Sequence, residues 1–152
     1  MTFEDLPPGW DALPLTDHDL AGDVLDLFVS ARDREVGCVF FLLCDERARL
    51  RQPLAVRLDP SDRERQGDQG DEAEVLVTRL DGLLGSEAAG AASLIMAVAR
   101  PGYSAINDVD RRWHEAVIDL TRRRSVPLLG TYVVTHQDVV RLPDPLPPAR
   151  TA

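Results

Sequence analysis

The chain contains no lysine, so that all 17 of its basic residues are arginine. This absence excludes chemistry that needs a lysine amine: the phosphate-binding lysine of a P-loop, a Schiff base or a Ser-Lys dyad. The sequence also lacks Gly-x-Gly-x-x-Gly, Gly-x-Ser-x-Gly and Cys-x-x-Cys. We therefore expect neither the dinucleotide-binding fingerprint, nor a serine nucleophile elbow, nor a dithiol redox motif.

Positive charge is in the minority, with 17 basic against 26 acidic residues and a net charge of -9 at pH 7. Binding to nucleic acid without sequence preference needs a basic surface that displaces phosphate counterions, so nucleic acid is not an expected partner. The run Arg122–Arg124 is the local exception. It lies near the end of a predicted helix, where cations complement the helix dipole.

Long apolar runs are also missing, since none approaches the roughly 20 residues needed to span a bilayer. No charged-then-apolar leader follows Met1, and we expect a cytoplasmic protein with no membrane partner. The only two cysteines, Cys38 and Cys44, lie in one apolar segment and would share one face of a strand. One strand cannot easily bend to join them, so we expect two buried, reduced thiols.

The remaining patterns predict one domain at residues 17–142. A proline-containing arm at residues 1–16 precedes this domain, with Trp10 and Leu13 as its expected anchors. A proline-rich tail at residues 143–152 follows it and is expected to be extended. The chain is long enough for this single domain to bury a hydrophobic core.

Eight segments of the domain have helix or strand patterns, which makes it an α/β (α+β) domain of order α-β-β-α-β-α-β-β. The helices are expected at 17–32, at 72–84, and between the N-cap Asn107 and Pro127; the strands are expected at 36–43, 50–58, 94–99, 128–135 and 138–142. The stretch 59–71 is charged and punctuated by glycine. It is too polar to fold alone and predicts a mobile insertion.

One succession of elements, from Leu94 to Leu142, has a family likeness. The apolar strand LIMAVA is followed by Arg-Pro-Gly, a polar turn, an amphipathic helix and an apolar hairpin. Together with the upstream run REVGCVFFLL, this order resembles the JAB/MPN metallopeptidase-like domain, especially its bacterial branch associated by name with DNA repair. The resemblance implies a mixed β-sheet with three helices across residues 17–142. The branch name also suggests a nucleic-acid accessory role, against which the net charge argues.

Active members of this family bind zinc through His-x-His after that strand and an aspartate in the next helix, and an upstream glutamate handles the proton of the zinc-bound water. In this chain Val98 and Arg100 stand at the two histidine positions. Asp110 and Glu35 stand at the positions of the aspartate and the glutamate. Valine and a permanently charged arginine cannot bind a metal. We therefore expect no metal, no other cofactor and no hydrolytic activity.

Two interpretations of Arg100 follow. Either it fills the volume of the missing metal and neutralises Glu35 and Asp110, or it is a surface arginine beside a helix-start acid. The expected function is that of a non-catalytic module that contacts a protein or a ligand through the former active-site groove. Candidate groove residues are Glu35, Arg100, Tyr103 and Asp110. Trp113 either lines this groove or packs in the core.

Two other functions compete with this expectation. Asp110 and His114 are one helical turn apart and would be the ligands of a metal-dependent hydrolase with a rearranged site. A small anionic ligand would instead bind Arg100 beside the helix start at Asn107, where backbone N–H groups are free. The metal content of the purified protein separates the hydrolase from the binding module.

Overall fold

Five strands form one mixed sheet in the computed structural model, which describes residues 6–57, 81 and 91–143. The elements of these residues are α1 (His18–Phe28), α2 (Ala31–Val36), β1 (Cys38–Cys44), β2 (Leu50–Arg57), β3 (Ser93–Ala99), α3 (Asp108–Arg124), β4 (Leu128–Val134) and β5 (Val139–Arg141). This mixed content confirms the predicted α/β class. The predicted insertion 59–71, almost all of the predicted helix 72–84 and the tail after residue 143 lie outside the described residues.

The strands are ordered β2-β1-β3-β4-β5 across the sheet. β1 pairs antiparallel with both β2 and β3, whereas β3 and β4 are parallel and are connected through α3. Parallel neighbours need such a crossover. Ala99, at the carboxyl end of β3, pairs with Cys38 on one side and with Val134 on the other. We call this end of the sheet, with the chain segments that adjoin it, the carboxyl edge.

Both faces of the central strands are buried, and β1 and β3 are buried at every position. This explains why their sequences are continuous apolar runs without alternation. One face packs against α1 and the other against α3. The α1 side contains Phe40, Leu42, Ile95, Ala97 and Val134, and the α3 side contains Val39, Phe41, Met96, Val98 and Val117. Cys38 and Cys44 form no disulfide and are buried on the α1 side, as expected.

The first helix is shorter than the prediction of residues 17–32. Asp17 caps α1 as its side chain accepts hydrogen bonds from two backbone N–H groups, but the helix ends at Phe28. Ser30 then accepts a hydrogen bond from Asp33 N and starts a second helix, α2. A serine is a better N-cap than an internal helix residue. The sequence does not show this break clearly, because the polar residues that follow Ser30 would also suit the exposed face of a continuing helix.

Two further sequence expectations were wrong in detail. The strand predicted from Val36 starts at Cys38, because Val36 ends α2 and Gly37 turns the chain with a φ of 96°. In the N-terminal arm Trp10 packs edge-on against Phe28, but the second anchor is Leu15 and not Leu13. The backbone N–H of Leu15 donates to Ala48 O, which holds this residue against the core.

The last helix agrees with the sequence interpretation. Asn107 and the side chain at the third position of α3 form a reciprocal capping box, and Arg122–Arg124 occupy the last turn. β4 and β5 then form the predicted closing hairpin. No helix within the described ranges is both long enough and apolar enough to cross a membrane.

Candidate functional site at the carboxyl edge

Val98 and Arg100 are two residues apart, so their side chains leave β3 on the same face. For Val98 this is the face that packs against α3, where it lies in one apolar cluster with Val117. Asp110 is in the first turn of α3. The fold therefore brings together Arg100 and Asp110, two of the predicted site residues. Val98 contributes packing and no polar atom.

Arg100 holds Asp110 in a two-pronged ion pair. Its Nε donates to Asp110 Oδ1 at 2.9 Å, and its Nη2 donates to Asp110 Oδ2 at 2.8 Å. The side chain of Asp110 is 0% exposed, and that of Arg100 is 17% exposed. Such a pair is among the strongest side-chain interactions in proteins, since both groups are charged and the planar fork fits the carboxylate.

The other donors of Arg100 bind the loop that connects β3 to α3. Nη1 donates to Pro101 O at 3.2 Å and to Tyr103 O at 2.8 Å, and Nη2 donates to Ala105 O at 3.0 Å. A guanidinium has five N–H groups, and these contacts together with those to Asp110 use all of them. Arg100 is thus an internal brace of the loop, with no donor left over for a ligand.

The acceptors of Asp110 are similarly committed. The carboxylate accepts a third hydrogen bond at Oδ2, from Asn107 N at 3.0 Å, while Asn107 Oδ1 accepts one from Asp110 N at 2.8 Å. A metal at this carboxylate would have to displace Arg100 or open the capping box. His114 is buried on the same helix. In the part of the chain that the structure describes, no three His, Cys, Asp or Glu side chains are grouped so that they could hold a metal.

Glu35 is not part of this pair. It lies in α2 with its side chain 70% exposed, and its Oε1 is 3.9 Å from His136 Nε2. All donors of Arg100 go to other acceptors, so the interpretation in which Arg100 neutralises both carboxylates holds for Asp110 but not for Glu35. The sequence placed Glu35 just before a strand, whereas it lies in the short helix α2 with its side chain largely in solvent.

A second arginine brace, Arg34, was not singled out in the sequence. Its Nη1 donates to Thr135 O at 3.1 Å, and its Nη2 donates to Asp26 Oδ1 at 2.8 Å and to Val29 O at 3.0 Å. These bonds fix α2 to the end of α1 and to the end of β4. Nothing in the local sequence distinguishes Arg34 from an ordinary exposed helix arginine.

The β3–α3 loop is also tied to the β4–β5 turn. Ser104 Oγ and Thr135 Oγ1 are 2.8 Å apart, and Thr135 Oγ1 also accepts a hydrogen bond from Gln137 N at 3.2 Å. Tyr103, one residue earlier, has its side chain directed outwards and is 77% exposed. Trp113 packs partly buried against the core on the α3 side. The structure therefore places Trp113 with the core and Tyr103 on the surface.

No protein-family model matches the chain, and no curated protein matches its sequence. The JAB/MPN resemblance stays a prediction, based on the order of the elements and on the residues at the carboxyl edge.

A separate concavity of about 210 Å³ lies between α1 and the β4–β5 hairpin. Its lining includes His18, Asp19 and Asp23 from α1 and Tyr132, Asp138 and Arg141 from the hairpin. Three aspartates and one arginine share this small space, and among the described residues no three His, Cys, Asp or Glu side chains are placed so that they could hold a metal. We assign no function to it.

Proposed function

We propose that this chain is a non-catalytic binding module that contacts another protein through the carboxyl edge of its sheet. The observation that carries this proposal is the pairing of Arg100 with Asp110. In the family that the chain resembles, the corresponding positions would hold a metal and its water. Here the guanidinium of Arg100 lies against the carboxylate of Asp110, and every N–H group of this guanidinium donates a hydrogen bond within the chain.

Catalysis by either carboxylate is poorly supported by this geometry. A metal ligand or a proton acceptor needs a lone pair that a metal or substrate can reach. Asp110 is fully buried and accepts three hydrogen bonds. Glu35 is exposed, and its Oε1 lies 3.9 Å from His136 Nε2. These contacts favour a structural role for Asp110.

The metal-dependent hydrolase and the anion-binding site would both need residues that these contacts already occupy. A rearranged hydrolase would need Asp110 as a metal ligand, and an anion site would need free donors on Arg100. Both side chains are already satisfied within the chain. In α/β sheets the carboxyl ends of strands are nevertheless the usual place for ligands. What this end offers to a partner is its surface, above all Tyr103.

Site-specific photocrosslinking in the cells that make the protein tests this proposal. A benzoylphenylalanine replaces Tyr103 in one variant and Leu27, an exposed residue of α1, in a matched control. We expect a discrete protein adduct from position 103 and none from position 27. Equal adducts at both positions, or none at 103, would contradict the proposal.

Metal analysis of the purified protein is the companion measurement. A binding module of this kind should contain far less than one metal ion per chain, and its unfolding temperature should not change in a chelator. Near-stoichiometric zinc that disappears on His114→Ala would instead support the hydrolase.

A further inference from the structure

A concavity lies at the end of the sheet opposite the carboxyl edge, where the parallel strands β3 and β4 begin. It has a volume of about 480 Å³ and is bounded by the second half of α3 and by the start of β4. Three half-buried apolar side chains line it, those of Ile118, Val126 and Leu128. Thr121 lines it too, but its hydroxyl already donates to Val117 O at 2.8 Å. The volume suits a small ligand or a short peptide segment. We call this concavity the α3 groove.

The last strand leads the chain towards the α3 groove. β5 pairs antiparallel with β4, so it runs from the carboxyl edge towards the start of β4. The pairing continues beyond β5 to Leu142, whose N–H donates to Thr131 O at 2.9 Å. Leu128, which lines the groove, is three residues before Thr131, or about 10 Å along an extended strand. The chain that follows Leu142 therefore starts within a few residues' length of the groove.

The side chain of Leu142 lies on the α3 side of the sheet. Tyr132 and Val134 belong to the core on the α1 side, so Thr131, which alternates with them along β4, faces α3. Leu142 is opposite Thr131, and paired residues of an antiparallel ladder share a face. Leu142 is 2% exposed there. The chain is thus anchored on the side of the sheet that carries the α3 groove.

The sequence that follows has the composition of a groove-binding segment. Residues 144–152 read DPLPPARTA, with one large apolar side chain, Leu146, between prolines. Such a segment favours the polyproline II conformation, which rises about 3.1 Å per residue, so the four residues from Leu142 to Leu146 span about 12 Å. This length is sufficient to bring Leu146 to the α3 groove. Proline-rich segments suit apolar grooves because their conformation is largely fixed before they bind.

The charge at the rim of the α3 groove also matches this segment. Arg122 lines the groove and is exposed. Asp119, three residues earlier, is bound to Arg123 at 2.6 Å, and no carboxylate within the described ranges pairs with Arg122. Asp144 is the acidic residue of the segment 144–152 and lies two residues after Leu142. A cation is therefore placed where the first charge of the segment arrives.

We infer that the α3 groove is the docking site of residues 144–152 of the same chain, with Leu146 against its apolar lining and Asp144 beside Arg122. A segment tethered so near the groove has a high effective concentration there, which favours it over the same segment of a second copy. The docked segment covers apolar surface that a proline-rich segment of another protein would otherwise reach. This inference is independent of the proposed function, because the carboxyl edge is at the other end of the sheet.

Paramagnetic broadening of amide NMR signals in the full chain tests the inference. A nitroxide is attached to Ala149→Cys, and the two native cysteines are buried, so only the new thiol should react. We expect the nitroxide to broaden the amide signals of residues 118–128, relative to the same sample after reduction of the nitroxide. The signals of α1, on the other face of the sheet, should not change. Broadening confined to residues 140–143, or equal broadening of α1 and the groove, would overturn the inference.

Two variants of the nitroxide-labelled chain then test the anchor. Leu146→Ser removes the apolar side chain and should lower the ratio of docked to undocked segment about tenfold, so that the signals of residues 118–128 recover. Thr151→Ser is the matched control in the same segment and should leave these signals broadened. Neither change touches the described part of the fold, so the spectrum of α1 should stay that of the parent. Persistent broadening in Leu146→Ser would show that this side chain does not hold the segment in the groove and would overturn the inference.

A mixed sample distinguishes docking within one chain from docking between two. Nitroxide-labelled chains without isotope label are added to isotope-labelled chains without nitroxide, so that any broadening must come from another molecule. We expect no broadening of residues 118–128 in this mixture. Broadening as strong as in the singly labelled chain would identify the segment of a second copy as the occupant and overturn the inference.

Discussion

Arg34 and Arg100 do the same kind of work at two corners of the sheet. Each arginine donates hydrogen bonds to main-chain carbonyl groups at the end of a helix, a strand or a loop, and each also binds one aspartate carboxylate. Lysine has three donors on a single nitrogen and lacks the planar fork, so it cannot reproduce this pattern. In a chain without lysine, arginine braces the backbone as well as carrying surface charge.

Removal of the Arg100 side chain should be costly. Arg100→Ala leaves the fully buried Asp110 without its counter-charge, and we expect the free energy of unfolding to fall by about 3 kcal/mol. Arg111→Ala is the matched control, because the Arg111–Asp108 pair is exposed. It should change stability by less than about 0.5 kcal/mol. Urea unfolding of both variants is the measurement, and equal small losses would show that Arg100 is no brace.

Cys44 links stability to alkaline pH. Burial, and next the charge of Asp45, raise the pKa of its thiol from 9.0 to about 11. Above pH 9 the thiol therefore loses its proton in the unfolded chain first, and stability falls as the pH rises towards 11. The expected loss is about 2 kcal/mol. Urea unfolding between pH 8 and pH 11 should show this loss in the parent but not in Cys44→Ala. Parallel pH profiles would refute the assignment.

The contact between Arg100 and Asp110 was one of two interpretations, and it followed from the family resemblance, in which these positions converge. The strand β3 and the start of α3 that carry them were predictable, because an apolar run and an asparagine N-cap are local patterns. Glu35 was misplaced because its position depends on α2, a six-residue helix. The partners of Arg34 depend on tertiary packing across the end of β4. No local pattern carries that information.

Among the elements, α1 contains an internal glycine, Gly22, that nothing in its surroundings requires. A Cβ added there would meet only Val139 Cγ1, at an ordinary 3.8 Å. Glycine inside a helix costs about 0.5–1 kcal/mol relative to alanine. Gly22→Ala should therefore raise the free energy of unfolding by this amount, measured by urea or thermal unfolding.

Gly130 in β4 is the opposite case and serves as the comparison. A Cβ there would lie 3.2 Å from Tyr132 Cε2 and 3.3 Å from Arg141 Nε. The ring of Tyr132 is buried and has little freedom to move away, so Gly130→Ala should destabilise the fold by about 1–3 kcal/mol. If both alanine variants change stability in the same direction, this distinction between the two glycines is wrong.

Helix starts were more predictable than helix ends. The cap Asn107 was read from the sequence, and the first helix was expected to begin at residue 17, next to its observed start at His18, since short polar side chains before an apolar stripe are a local signal. The end of α1 at Phe28 was not predicted, because residues 30–35 can also be accommodated on the exposed face of a continuing helix. Tertiary contacts determine where α1 ends, and they include the hydrogen bond from Arg34 Nη2 to Val29 O.

At the scale of the whole molecule, the sheet ends in two strands that differ in length. Within the described chain its edges are β2, with eight residues, and β5, with three. β2 contains Pro53 and the exposed Arg51. Proline is tolerated on an edge strand with its nitrogen facing outwards, and both proline and charge discourage pairing with another chain.

Replacement of Pro53 should make β2 better able to pair with a strand of another chain. Pro53→Thr restores a backbone donor and raises strand propensity, so we expect faster aggregation on mild heating, followed by light scattering. Ala55→Thr adds the same side chain to the same strand but keeps the proline, and should aggregate like the parent. Equal aggregation rates in the two variants would show that Pro53 does not protect the edge.

The class of the fold was predictable, but the strand order was not. Continuous apolar runs identified the central strands as buried on both faces, and their alternation with helical patterns gave the α/β class. The pairing of β1 with β3 joins segments separated by residues 45–92. Periodicity within each strand contains no information on which distant strand will lie beside it.

The apolar sequence of β1 makes the chain prone to aggregation while it is being synthesised. Its neighbour β2 follows after a short turn, but β3 emerges from the ribosome only after the chain between residues 57 and 93 has been made. Until then the segment CVFFLLC has one unpaired edge and two apolar faces, the combination that favours cross-β aggregation. The strand that solvent reaches least in the finished protein is therefore the one that a nascent chain has most need to shield.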